Sequence, residues 1–317
     1  MIGVAGAGAF GTALAVALAA AGRPLTLWAR DADHVAAMAQ GRTNAARLEG
    51  VRFPPSLTVT ADLRDLKGAE AVLLALPMQA LAGFLAVHGE ILNGVPLVGA
   101  CKGIDLASLR GPTAMVRDFC PRSDVSILTG PSFAADIARG LPTALTLAGE
   151  GAEHLQSLLS TATLRLYRSA DVVGAELGGA LKNVIAIAAG VVMGAGLGES
   201  ARAALVTRGF AEMQRFALAQ GAAGDTLLGL SGLGDLILTC TSTQSRNLRY
   251  GMALGSGQTF DAKTTVEGVA TAQAISQIAR KLSLDMPVST MVARLIGQEI
   301  SLDQAIHSLM SRPLRKE

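Results

Sequence analysis

Close to its start the chain reads Gly6-Ala-Gly8-Ala-Phe-Gly11, between an apolar run over 2–5 and an alanine-rich stretch over 11–21. No other feature restricts the fold as strongly. In a strand-to-helix turn these three glycines have separate physical tasks. Gly6 permits the tight turn, Gly8 lets the backbone come up to a pyrophosphate, and Gly11 lets helix and sheet pack closely. The following helix aims its unpaired N–H groups and the positive end of its dipole at the same point. The spacing carries little by itself. Its position in a strand–turn–helix context makes dinucleotide binding the expectation, against a turn kept glycine-rich for packing alone.

The first half continues in the same style. Short β-branched runs over 2–5, 25–28, 71–76, 97–101, 125–128 and 144–147 alternate with helical stretches that include 11–21, 32–40 and 109–119. Alternation of this kind predicts a doubly wound parallel sheet of the Rossmann-like type, with helices on both faces. After a strand-like 164–168 the pattern changes to long helices over 172–194, 201–219, 246–254, 265–281 and 289–298, with a short one over 303–311. Two domains are expected: an α/β dinucleotide-binding domain over 1–170 and an all-helical substrate-binding domain over 171–317.

Composition removes several classes of function. Lys and Arg number 27 against 25 Asp and Glu, and no charge run stands out. Neither nucleic acid nor a membrane surface is therefore an expected partner. Cys101, Cys120 and Cys240 are widely spaced, which predicts neither a disulfide framework nor a metal site. The opening residues have no basic n-region, and the expected compartment is the reducing cytoplasm. The run over 177–198 carries one charge, Lys182, in an otherwise largely apolar stretch. A membrane span needs about 20 apolar residues with flanking anchors. This run instead holds six glycines and a lysine, with no aromatic belt, and reads as a buried core helix.

Several side chains stand where chemistry is expected. The strand over 25–28 is followed by Arg30 rather than by an acid. A guanidinium suits a ribose 2′-phosphate, and a solvated loop charge is the alternative. Pro77, Lys102 and the Gly130-Pro-Ser132 turn leading to Ala134 follow later strand ends, where open α/β sheets place ligands. Lys182 is either buried and paired for proton transfer or a lysine that snorkels to water. Asp235, after the glycine-rich 231–234, is a candidate partner for it or a helix cap. Ser245-Arg246-Asn247 places a hydroxyl, a guanidinium and an amide at a helix start, a combination suited to a phosphorylated ligand. Glu267 is a weaker candidate at another helix start.

Taken together, GAGAFGTALA (6–15), LWAR (27–30), LTGPSFA (128–134), LKN (181–183), SGLGDLILTCT (231–241), QSRN (244–247) and VEG (266–268) resemble the bacterial NAD(P)-dependent glycerol-3-phosphate dehydrogenases, over nearly the whole chain. The resemblance implies an α/β Rossmann-like domain plus an all-α domain of the 6-phosphogluconate dehydrogenase C-terminal-like kind. It implies hydride transfer between a nicotinamide and C2 of dihydroxyacetone phosphate or sn-glycerol 3-phosphate, which supplies phospholipid synthesis. Lys182 is then the general acid/base. Lys102, Gly130, Ser132, Asp235, Ser245, Arg246 and Asn247 bind the substrate. Gly6, Gly8, Ala9, Phe10, Gly11, Arg30, Lys102, Ala134, Arg246 and Glu267 bind NADP or NAD, with NADPH preferred through Arg30. The chain departs from the family pattern at Ala9-Phe10, where Ser-Trp is common, and at Thr243. A homodimer is expected from the apolar helical domain. A β-hydroxyacid dehydrogenase and a non-catalytic NAD(P) sensor remain as rival readings.

Overall fold

The computed structural model describes residues 1–262 and 264–310. Its elements fall into two compact units, one formed by Met1–Lys102 with Arg110–Glu176, the other by Gly103–Leu109 with the chain from Leu177 onward.

The first unit begins β1 (Ile2–Ala5), α1 (Ala9–Ala20), β2 (Leu25–Trp28), α2 (Ala32–Gly41), the hairpin strands β3 (Thr43–Asn44) and β4 (Leu48–Arg52), and β5 (Leu57–Thr60). It continues β6 (Ala71–Leu74), α3 (Met78–Leu92), β7 (Leu97–Gly99), α4 (Pro112–Phe119), β8 (Val125–Thr129), α5 (Ala134–Ala138), β9 (Thr143–Gly149), α6 (Ala152–Leu159) and β10 (Leu164–Ser169). Eight strands form one sheet in the order β10-β9-β8-β7-β6-β1-β2-β5. Successive strand residues bury against opposite helical layers. Leu25, Leu27 and Leu73 join the layer of α1, while Val72, Leu74 and Leu97 join that of α3 and α4. Burial on both faces explains why these strands read as unbroken apolar runs.

The sheet is the expected doubly wound, predominantly parallel one, with one reversal at its edge. β9 pairs antiparallel with β8, and β10 parallel with β9, so the last two strands run against the other six. The link from β8 to β9 holds only the five-residue α5, against the eight-residue α6 between the parallel β9 and β10. The helix expected over 109–119 starts instead at Pro112, whose ring suits the first helical position.

The second unit is helical: α7 (Val172–Gly194, which enters it from the first unit), α8 (Glu199–Ala219), α9 (Asp235–Thr241), α10 (Arg246–Gly255), α11 (Glu267–Lys281), α12 (Pro287–Ile296) and α13 (Leu302–Met310). The short helix expected over 303–311 is α13, except that Ser311 lies outside the described residues. Between α8 and α9 the chain makes a 3₁₀ turn and a π-helical turn at Leu230–Gly234. Among the described residues α7 alone is long and apolar enough to cross a membrane, and 89% of its apolar window is buried inside the fold. Its glycines have a packing explanation. A Cβ at Gly190 would strike the carbonyl of Leu248, and one at Gly251 the carbonyl of Ile187, so α7 and α10 cross with their backbones in contact. Ile104, from the short segment between β7 and α4, packs into the same core.

Within the first unit, the carboxylate of Glu176 accepts from the Thr113 N–H at 2.9 Å, at the start of α4. Burial of that carboxylate raises its pKa above the ordinary 4.5, although the Thr113 contacts oppose the shift. A raised folded-state value means that the native state holds the proton more tightly. The stabilisation is then full below pH 4.5 and is lost as pH rises through the folded value. Thermal unfolding of Glu176→Gln beside the wild type should show the variant gaining relative stability from pH 4 to pH 7.5, which are working values for this test. A difference that does not change with pH would show that the carboxylate is not desolvated.

Candidate active site

Parallel pairing sets the C-terminal strand ends side by side. Ala5 is opposite both Trp28 and Leu74, and Leu74 is opposite Gly99. The loops that carry Gly6–Gly11, Arg30, Pro77 and Lys102 therefore leave one edge of the sheet. Gly6 has φ +118°, and a Cβ there would lie 2.5 Å from the Ala75 carbonyl oxygen. A Cβ at Gly11 would collide with the Gly6 carbonyl. Gly8 differs, because nothing lies within 4 Å of its Cβ position and its φ is an ordinary −73°. Protein packing does not demand a glycine there. Gly8 is the N-cap of α1, and no side chain caps that helix. Bare N–H groups beside an open glycine fit a pyrophosphate.

Arg30 is exposed, and Asp31 caps α2 by accepting from the N–H groups of Asp33 and His34. Asp31, the acid next to Arg30, is thus committed to the helix, and Arg30 itself is exposed. On the other side of the turn, Lys102 Nζ donates to the Gly130 carbonyl at 3.0 Å and stands 6.0 Å from the Phe10 ring centre. Ser132 Oγ donates to the same carbonyl at 3.1 Å. Ala134 opens α5, which packs on α1. Lys102, Gly130, Ser132 and Phe10 therefore form one cluster, and Ala9 lies in the same first turn of α1.

The second unit brings together the other candidates. Lys182 is 7% exposed. Its ammonium donates to Thr239 Oγ1 at 2.7 Å and lies 3.1 Å from Asp235 Oδ1. Thr239 in turn donates to Asp235 Oδ1 at 3.2 Å, closing a buried triangle. Lys182 does not snorkel, and α9 has no side-chain cap, so Asp235 is a partner and not a cap. Local packing explains how the carboxylate arrives. Gly178 lies one turn before Lys182, and a Cβ there would be 2.5 Å from the Ser231 carbonyl oxygen. That close approach lays the π-helical turn onto α7 and delivers Asp235 and Thr239 to the lysine.

Beside the triangle, Asn183 Oδ1 accepts from Asn247 Nδ2 at 2.9 Å, and Asn247 Oδ1 accepts from the Gly268 N–H at 3.0 Å. These bonds tie α7, α10 and the start of α11, where Glu267 is the first residue. Ser245 caps α10, its Oγ accepting from the Leu248 N–H at 3.2 Å. Arg246 follows at the first helical position, exposed and with no side-chain partner among the described residues. A free guanidinium at a helix N-terminus, beside an asparagine that bonds the residue after the buried lysine, is suited to a phosphorylated molecule. Cys240, next to Thr239, has its thiol pushed up to about 12 by burial, so it packs as an apolar group.

A family model described as NAD-dependent glycerol-3-phosphate dehydrogenase N-terminus matches residues 1–155, and its C-terminus counterpart matches 171–307. The chain belongs to the NAD-dependent glycerol-3-phosphate dehydrogenase family. It is 59% identical to a glycerol-3-phosphate dehydrogenase [NAD(P)+] of Paracoccus denitrificans, over 100% of this chain and 99% of that one. An enzyme of the same name from Cereibacter sphaeroides is also 59% identical, over 100% of both chains. The crystal structure of glycerol-3-phosphate dehydrogenase from Coxiella burnetii superposes with a TM-score of 0.93 at 35% identity, covering 98% of each chain.

Thr239, which completes the buried triangle, was not singled out by the sequence reading. Thr239 lies four residues after Asp235, a same-face helical spacing, but the glycines before it hide the helix. The buried pair also makes a stability prediction. Asp235→Ala should lower unfolding free energy by about 3 kcal/mol, because it strands a buried charge. Adding Lys182→Met should recover part of that loss in a urea-unfolding double-mutant cycle. Additive losses would mean that the two groups do not interact.

Proposed function

We propose that this chain interconverts dihydroxyacetone phosphate and sn-glycerol 3-phosphate with NAD(P)H. The observation that carries the reading is the buried Lys182–Asp235–Thr239 triangle, linked through Asn183 to the helix start that bears Ser245, Arg246 and Asn247. When bound, the reduced nicotinamide supplies the hydride that turns the C2 carbonyl into an alcohol. Gly6, Gly8, Ala9, Phe10, Gly11, Arg30, Lys102, Ala134, Arg246 and Glu267 are the residues proposed to hold the dinucleotide.

The chain's own residues do the rest. Arg246 and the N–H groups at the start of α10 hold the phosphate, with Ser245 and Asn247 beside them. Lys102, Gly130 and Ser132 are proposed to border the same substrate. The Lys182 ammonium hydrogen-bonds the carbonyl oxygen, stabilises the charge that develops there, and donates the proton. Asp235 keeps the amine charged before that step, and Thr239 fixes its direction. In the reverse reaction, neutral Lys182 takes the hydroxyl proton.

Arg30, exposed while Asp31 is occupied as a cap, supports a preference for NADPH through the 2′-phosphate. A cytoplasmic homodimer supplying glycerol 3-phosphate for phospholipid synthesis is the setting we propose for the reaction.

The absorbance of reduced nicotinamide should fall when the wild type meets dihydroxyacetone phosphate. Lys182→Ala should lose at least roughly a thousandfold in kcat while binding cofactor normally. A variant that keeps most of its kcat would remove Lys182 from the chemistry. Arg30→Ala should raise the KM for NADPH by about tenfold and leave that for NADH near the wild-type value. An equal effect on both cofactors would exclude the 2′-phosphate contact.

A further inference from the structure

The glycine-rich turn is held by a side chain from outside the β1–α1 segment. Asn44, in the short strand β3, is 1% exposed. Its Nδ2 donates to the Ala7 carbonyl at 3.0 Å and to Thr12 Oγ1 at 2.8 Å. Its Oδ1 pairs with His34 Nε2 at 2.9 Å. Chemistry settles which way the amide faces. The Ala7 carbonyl can only accept, so the NH₂ group must point to it, and His34 must donate from Nε2. Both amide hydrogens and the amide oxygen are then engaged.

Each end of this strut touches a different cofactor-facing loop. His34 stands in the first turn of α2, its own N–H bonded to Asp31, the residue after Arg30. Ala7 shares its peptide group with Gly8. That peptide is planar and trans, so C=O and N–H point in opposite directions. Drawing the Ala7 carbonyl toward Asn44 aims the Gly8 N–H away from the protein, and nothing packs within 4 Å of a Cβ built at Gly8.

We propose that Asn44 is a positioning residue that orients the diphosphate-facing peptide of the glycine turn, with His34 fixing its amide. This rests on the dinucleotide reading given above. The diphosphate is common to NADPH and NADH, so Asn44 governs affinity for both alike, whereas Arg30 separates them.

The test is Asn44→Asp, which keeps the side-chain shape but replaces the donor facing the Ala7 carbonyl with an acceptor. Binding of NADPH and of NADH is followed by nucleotide fluorescence, alongside thermal unfolding and steady-state kinetics. Both Kd values should rise about tenfold and by a common factor, with the KM for dihydroxyacetone phosphate at saturating cofactor within about twofold of wild type. His34→Ala should raise both by about threefold, and it carries the test if Asn44→Asp does not fold. Kd values unchanged in a variant with a lowered Tm would make Asn44 a purely structural residue and overturn the proposal. A rise confined to NADPH would overturn it as well. A wild type that binds neither nucleotide would overturn the dinucleotide reading, and this inference with it.

Discussion

A charged amine buried in an apolar helix has to be met by something, and the helical unit is arranged around meeting it. Desolvating an ion pair costs several kcal/mol, so Lys182 and Asp235 are kept despite the fold's stability and not for its sake. Neighbouring burial offsets that cost. Leu181, Val184, Ile185 and Ile187 are almost fully buried on the same helix, and each contributes about 2 kcal/mol. Glycine supplies the geometry. Gly178 admits the π-helical turn that brings Asp235 and Thr239 to the amine. Gly190 and Gly251 let α10 cross α7 closely enough for Asn247 to bond Asn183.

The α/β unit solves a different problem, that of offering polar backbone to an anion without leaving buried groups unpaired. Parallel strands bring their ends, and hence their loops, to one edge of the sheet. Two glycines are required by protein contacts, whereas nothing in the protein fills the space beside the third, Gly8. The Ala7 carbonyl before it accepts from Asn44, well downstream, so local sequence and distant packing meet in one turn.

Much of this was legible along the chain. The glycine turn with its flanking strand and helix predicted the α/β half. The long apolar periodicities predicted the helical half, and the single lysine in the run over 177–198 stood out by chemistry alone. Residues that stand out by type and local context, such as Arg30, Ser245 and Arg246, could be named as candidates from the sequence, and the structure leaves Arg30 and Arg246 exposed. The reversed direction of β9 and β10 could not, because a strand's hydrophobic pattern is the same whichever way it runs. Asn44 was hidden for a related reason: its partners Ala7 and Thr12 lie far back along the chain, and no local spacing marks a long-range hydrogen bond.

The sequence by itself determined the fold class, the position of the glycine turn and the presence of a lone lysine in an apolar helix, since each depends on residue type and on periodicities a few residues long. Only the tertiary structure decided how the amine is held. Whether Lys182 reached water or a carboxylate, and whether Asp235 capped a helix or paired with it, depended on how closely the backbone at Ser231 could approach Gly178. That distance is set by packing between segments more than 50 residues apart, as the 57-residue separation of Lys182 and Thr239 shows.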